Sequence, residues 1–302
     1  MRLTLRQLRV FDAVARHLSY TQAAQELHLT QPAVSMQIKQ LEENVGLPLF
    51  ERLGKKIFLT EAGKEMHGYS RSIDAQLAEA DTVVEELKGV RRGRLRISVA
   101  STANYFATRL LAAFSKEHPG MSFSLDVTNR ESLLRQLENN ECDLVIMGRP
   151  PGNMDLVTEA FMDNPLVIIA SPDHPLVGEN SIPLERLRQE TFLLREPGSG
   201  TRIAMERFFA QRGVTLTTGM EMTSNEAIKQ AVEAGLGLGI VSIHTMELEL
   251  EAGRLAVLEA EHFPILRRWY VVHRRGKRLS PVAQGFKQFV LERAREYLRL
   301  PR

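Results

Sequence analysis

Two helical patterns meet at a three-residue break inside YTQAAQELHLTQPAVSMQIKQLEENVG, positions 20–46, and no other feature of the 302 residues constrains the fold as tightly. Ser19 followed by Gln22 is an S-x-x-Q capping box, in which each side chain satisfies an amide left bare by the first helical turn; it starts a helix running through Leu27. His28, Leu29 and Thr30 form the break. Thr30 caps the next helix, and Pro32 falls in its first turn, where the missing N–H costs nothing. Leu29 and Val34 occupy the hydrophobic-staple positions around that cap. Val34, Ile38 and Leu41 recur at helical spacing as an inward face, which leaves Gln31, Pro32, Ser35, Met36 and Lys39 on the outside. Two helices joined this way match a helix-turn-helix, whose second helix enters the major groove of DNA.

The outward side chains suit that placement. Gln31 pairs bidentately with adenine, Ser35 reaches a base edge or a phosphate, and Lys39 reaches guanine or the backbone. Pro32 and Met36 offer apolar contacts to thymine methyls. Thr21 and Gln22 on the first helix, with Thr30, complete this candidate DNA-contacting set. Downstream, LFERLGKKIFLTEAG reads as strand, tight turn at Gly54 and strand, a wing carrying Arg52, Lys55 and Lys56 toward phosphates. A small helical domain with ordinary caps and a polar outer face gives the same pattern, so both readings stay open here. With 39 basic against 37 acidic residues, net +2, the chain is no general polyanion binder; a nucleic-acid site must be a local patch.

Residues 1–65 are helical with short breaks apart from the wing, and 66–88 form one long helical stretch. Ile73, Leu77, Ala80, Val84 and Leu87 recur there at intervals of 4, 3, 4 and 3, a coiled-coil seam that predicts dimerisation; a long helix packed on its own domain is the alternative. GVRRGRLR at 89–96 is a hinge linker. From Leu95 short apolar strings alternate with helical ones (LRISVA, SFSLDVT, DLVIMG, LVIIAS, TFLLRE, MEMTS, GIVSI, LAVLE, WYVVH), which predicts α/β architecture with largely parallel sheets.

The string FDAVARHLSYTQAAQELHLTQPAVSMQIKQLEENVGLPLFERLGKKIFLTEAG resembles the winged helix-turn-helix of LysR-type transcriptional regulators nearly residue for residue, and the likeness continues through the chain. Many members carry Arg where Met36 stands. The resemblance implies an all-α winged helix-turn-helix, a long linker helix that makes dimers and commonly tetramers, and an effector domain like periplasmic solute-binding proteins. That domain has two α/β subdomains, 92–162 with 267–302 and 163–266, so the chain crosses twice between lobes and a ligand in the cleft biases their angle. Promoter DNA, RNA polymerase and a small anionic effector are the implied partners. REPGSGTR and DLVIMGRPP are closest to the CbbR-type branch, regulators of Calvin-cycle carbon-fixation operons that respond to phosphorylated or nucleotide metabolites.

Candidate cleft residues follow the strands. Ser101 and Thr102 after LRISVA, and Ser199 and Thr201 after TFLLRE, open two helices whose N-terminal amides favour a carboxylate or phosphate. Arg149 and Arg202 add charge. Ordinary N-capping is the competing account of each hydroxyl. AGLGLGIV follows a helix and precedes a strand, the reverse of a dinucleotide fingerprint, so Gly235 reads as a helix C-cap. The lone Cys142 has no disulfide partner in the chain and fits a reducing cytoplasm; eight scattered histidines suggest no metal site and no cofactor. No nucleophile elbow or carboxylate pair suggests an enzyme. The N-terminal Arg and Gln residues exclude a secretory leader, and no run approaches the roughly 18 apolar residues of a membrane span. A small-anion binding protein or enzyme whose N-terminal helices serve only assembly is the second reading; the capped helix pair, wing and seam argue against it.

Overall fold

Helices α1 (Leu5–His17), α2 (Tyr20–Glu26) and α3 (Gln31–Val45) close around Phe11, Val14, Val34, Ile38, Leu41 and Leu49 in a computed structural model, which describes residues 3–54, 56–87 and 93–297. A full capping box forms at Thr4, whose side chain and that of Gln7 each bond the other's amide, at 3.2 and 3.0 Å. The box expected at Ser19 is half made. Its Oγ accepts from the Gln22 amide at 3.3 Å, but the Gln22 side chain returns no bond and stays exposed. Thr30 Oγ1 accepts from the Ala33 amide at 3.4 Å to start α3, which ends on Gly46 at φ +80°.

Strands β1 (Phe50–Leu53) and β2 (Lys56–Leu59) pair antiparallel with Leu53 opposite Lys56, and Gly54 takes φ +63° in the turn. Lys55, the second turn residue, lies outside the described residues. Glu42 Oε1 accepts from the amides of Leu49 and Phe50 at 2.7 and 3.1 Å, tying α3 to the wing. The long helix α4 runs Glu61–Leu87, so the expected boundary at 65/66 falls inside it. Thr60 Oγ1 caps it at the Gly63 amide, 3.0 Å away, and a Cβ on Gly63 would sit 2.1 Å from the Leu49 carbonyl oxygen. That glycine is a close approach rather than a break. Ile73 and Leu77 are half-buried, while Ala80 and Val84 are exposed; the Leu87 side chain lies outside those described. Of the expected linker at 89–96, residues up to 92 are outside the description, and Arg94 already begins a strand.

The remainder builds two lobes. Strand β3 (Arg94–Ala100) leads through a short 3-10 turn to α5 (Asn104–Glu117), then β4 (Ser122–Thr128), α6 (Arg130–Glu138), β5 (Leu144–Met147) and β6 (Leu156–Asp163). The chain crosses into β7 (Leu166–Ala170), α7 (Leu184–Leu187), β8 (Thr191–Arg195), α8 (Gly200–Ala210), β9 (Thr217–Met222), α9 (Asn225–Glu233), β10 (Leu238–Ser242), α10 (Glu247–Glu251) and β11 (Ala256–Leu258). It returns as β12 (Arg268–Arg274) and α11 (Pro281–Arg293). The sheets have the orders β4-β3-β5-β12-β6 and β11-β7-β10-β8-β9.

Both sheets are mixed, not largely parallel. Strand β12 runs against β5 and β6, and β7 runs against β10 and β11, because the strands beside the crossings enter or leave without a crossover helix. Strand β6 was invisible to an apolar-string reading, since this edge strand carries Thr158, Glu159 and Asp163 among its apolar residues. Gly235, at φ +78°, follows the end of α9 as expected of a C-cap glycine. Cys142 is buried, which pushes its thiol up to about 12. None of the described helices is long and apolar enough to cross a membrane.

At the lobe junction the Asn164 amide donates to the Arg267 carbonyl at 2.8 Å, and Leu166 and Ile265 exchange bonds at 3.0 and 2.9 Å. Beside this ladder, Trp269 Nε1 donates to His244 Nδ1 at 3.2 Å, and burial pushes the His244 imidazole from 6.5 down to about 4. An unfolded histidine binds its proton below about 6.5 while this one refuses it until about 4, so stability falls as pH drops through that window. The full loss is about 3 kcal/mol. His244→Asn, whose Oδ1 replaces Nδ1 as acceptor, is expected to lose that much less stability than the parent between pH 7 and pH 4 in urea titrations.

Candidate functional site

The outer row of α3 is set by its caps and its core face. Val34, Ile38 and Leu41 are at most 1% exposed, which turns Gln31, Pro32, Ser35, Met36 and Lys39 to solvent. Thr21 and Gln22 at the start of α2 and Thr30 at the α3 cap are also exposed, as are Arg52 and Lys56 on the wing. Phe50 packs its ring 5.4 Å from Phe11 and 6.0 Å from Tyr20, so the wing and the helix pair share one core. The result is a small domain that exposes both a helix able to enter a groove and wing cations able to meet phosphates. Among the described residues, the only ion pair on this row is a loose one between Lys39 and Glu43, 4.0 Å apart and largely exposed, which leaves the lysine available.

A second site lies between the lobes, a cleft of about 1300 Å³ lined by Ser101, Thr102, Arg149, Ser199 and Thr201 among others. The capping account of these hydroxyls fails on geometry. Neither α5 nor α8 has a side-chain cap, whereas Ser19, Thr30, Ser224 and Ser280 all cap their helices. Thr102, Ser199 and Thr201 are buried, and their hydroxyls are not spent on any other described residue. Arg202 is a correction. It bonds Glu206 at 2.8 Å, Glu221 at 2.6 Å and the Arg195 carbonyl at 2.9 Å and does not line the cleft. One residue beyond Thr201, it is rotated about 100° around the helix axis toward carboxylates on the other side.

The cleft also holds residues not expected from the sequence. Arg267 donates Nη1 to the Gly200 carbonyl at 2.8 Å, while its Nε is buried without a partner. Burial and the nearby Arg130 charge push this guanidinium down to about 10. Arg130 is itself lowered by burial and donates to the Arg149 carbonyl at 2.8 Å. Asn164 is fully buried, gives its Oδ1 to Ser242, and leaves Nδ2 unpartnered. Seven arginines line the cleft against two carboxylates, Asp163 and Glu196, and Glu196 is taken by Arg195 at 2.7 Å. Unused donors and surplus positive charge give the cleft a chemistry suited to an anion. Arg130 had a signal, since it follows the carboxyl end of a parallel strand, where ligands gather. Asn164 and Arg267 fall beside the two expected lobe crossings, but no motif marks a polar residue there.

Residues 5–64 match the bacterial regulatory helix-turn-helix protein, lysR family, and residues 88–295 match the LysR substrate binding domain. The chain belongs to the LysR family of transcriptional regulators. It is 63% identical over 301 residues to the RuBisCO operon transcriptional regulator of Allochromatium vinosum, across 99% of this chain and 100% of that one. To the HTH-type transcriptional regulator CbbR of Rhodospirillum rubrum it is 50% identical over 291 residues, across 96% and 97%. The solved Synechocystis PCC6803 CcmR regulatory domain, in complex with 2-PG, is similar at 43% identity and TM-score 0.65, covering 70% of this chain and 100% of that one. The CbbR-type resemblance is borne out by these relatives, and the enzyme reading is set aside because both are regulators.

Two kinds of substitution separate base reading from phosphate anchoring. Ser35→Ala or Gln31→Ala is expected to weaken binding by about 1–3 kcal/mol only where the affected base pair is correct. Lys56→Ala is expected to weaken all duplexes alike and lower the salt slope by about 1. Anisotropy titrations at several salt concentrations, on duplexes bearing single base changes, distinguish them.

Proposed function

We propose that this protein regulates carbon-fixation genes as a cytoplasmic dimer or tetramer, and that a small anionic metabolite in the interlobe cleft tunes its hold on promoter DNA and its dealings with RNA polymerase. The observation that carries the effector reading is the pair of buried donors without partners, Arg267 Nε and Asn164 Nδ2, on the two strands that cross between lobes. An anion placed there is held by Arg267 and Arg130, by the Thr102, Ser199 and Thr201 hydroxyls, and by the N-terminal amides of α8. Leaving such donors bare costs free energy that a bound acceptor recovers. The 2-PG held by the CcmR regulatory domain makes that compound the first probe.

Dimerisation through α4 rests on Ile73, Leu77, Ala80 and Val84, which stay partly or largely uncovered on a single chain. A partner helix covers this stripe at coiled-coil spacing and doubles the reading face for a two-half-site operator.

Calorimetry of the full chain with 2-PG and, separately, inorganic phosphate tests the site. Arg267→Ala is expected to weaken 2-PG binding by about 1.5–3 kcal/mol, roughly ten- to a hundredfold, with smaller losses for Thr102→Val and Thr201→Val. Arg202→Ala is expected to bind as the parent does. Unchanged affinity in Arg267→Ala, or a loss only in Arg202→Ala, contradicts the assignment.

A further inference from the structure

A chain of polar contacts links the dimerisation helix to the reading head without using any residue of the outer α3 row. On α4, His67 Nε2 lies 3.0 Å from Asp12 Oδ1 on α1. The other Asp12 oxygen accepts from Arg16 Nε at 2.8 Å, and Arg16 reaches Glu26 on α2 with two bonds of 3.1 and 2.6 Å. Glu26 is also 2.6 Å from His17 Nε2. One turn along α4, the buried Ser70 donates Oγ to the Leu8 carbonyl at 3.1 Å. The His67 ring stands edge-on to the buried Phe11, with centroids 6.2 Å apart. Burial alone would raise the Asp12 carboxyl, but the bonds from His67 and Arg16 hold it below its ordinary value.

The position of these contacts along α4 gives them a consequence. Ala62 and Met66 pack into the core of the reading head, whereas Ala80 and Val84 are exposed on the seam. His67 and Ser70 lie between, where the helix leaves that core. The helix continues 17 residues from Ser70 to Leu87, about 25 Å at 1.5 Å per residue. A tilt of about 10° at the joint therefore moves its far end by about 4 Å, more than the roughly 3.4 Å between successive base pairs. Hydrophobic packing near Met66 is non-directional and tolerates such a tilt; hydrogen bonds at 3.0 and 3.1 Å, aimed in different directions, do not.

We infer that His67 and Asp12 are positioning residues: they fix the angle at which each dimerisation helix leaves its reading head and so set the spacing between the two DNA half-sites the dimer accepts. The assignment rests on dimerisation through α4 as proposed above. Base preference stays with Gln31, Ser35 and Lys39, so spacing and sequence are separable properties of the same protein.

The test is selection by the full chain from a random-sequence duplex library, followed by affinities for the selected half-sites at varied separation. The parent is expected to return paired half-sites at one separation, with a penalty of about tenfold per base-pair step away from it. His67→Ala and Asp12→Ala are expected to return the same half-site sequence with that penalty reduced to less than about threefold. His67→Gln, which keeps a hydrogen-bonding side chain facing Asp12, is expected to restore most of the preference. A melting temperature and single half-site affinity close to the parent's show that each variant is folded. If both alanine variants kept the parental spacing preference, or lost the half-site sequence itself, the inference would be overturned. A parent that selects only unpaired half-sites would instead contradict the dimer reading beneath it.

Discussion

Three backbone hydrogen bonds hold the effector module together at its narrowest point: the Asn164 amide to the Arg267 carbonyl, and the exchange between Leu166 and Ile265. Both chain crossings between the lobes run through this short ladder. One crossing continues from β6 and the other leads into β12, which completes the first sheet between β5 and β6. Strand β7 leaves the same ladder to sit between β10 and β11. The residues that make the ladder also carry the two bare donors of the cleft. A ligand bonded to Arg267 and Asn164 therefore acts on the hinge strands themselves, and its differential hold on two lobe angles is the only means by which it can select one.

Serines and threonines at helix starts perform opposite tasks at the reading face and at the cleft. Ser19 and Thr30 spend their oxygens on their own helices, which fixes the directions of α2 and α3 and frees Gln31, Ser35 and Lys39 for an outside partner. Before α5 and at α8 the chain turns into helix without side-chain caps, so Thr102 in the 3-10 turn, Ser199 and Thr201 keep their hydroxyls unspent. A helix terminus left without a side-chain cap beside a cleft, as at α8, costs stability that an anion bound there would offset.

How much of this could be read from the sequence follows the range of the interactions. The helix pair, the wing turn at Gly54 and the outward row of α3 rest on contacts within a few residues, and local pattern revealed them. The family and its carbon-fixation branch were legible in whole strings such as REPGSGTR. Arg267 and Asn164 were not, because their role arises only when two segments about a hundred residues apart come together at the crossings. The mixed sheets and strand β6 were missed for a related reason: periodicity reports burial, and an edge strand with Glu159 and Asp163 on it lacks the apolar signature. Arg202 looked right by charge and wrong by phase, one residue around the helix from where it needed to be. Helix α4 began early because Gly63 serves a close backbone contact that no turn rule encodes.

The central claim is that an anion in the cleft is sensed at the hinge strands. Hydrogen exchange on the full chain, with and without 2-PG, measures this at the amides of Asn164, Leu166 and Ile265 that form the ladder. The account predicts that these amides and those of Thr102 and of the first turn of α8 change protection together as 2-PG is added, and that Arg267→Ala abolishes the response. Altered exchange at Thr102 and the first turn of α8, with the three ladder amides unmoved, would contradict it.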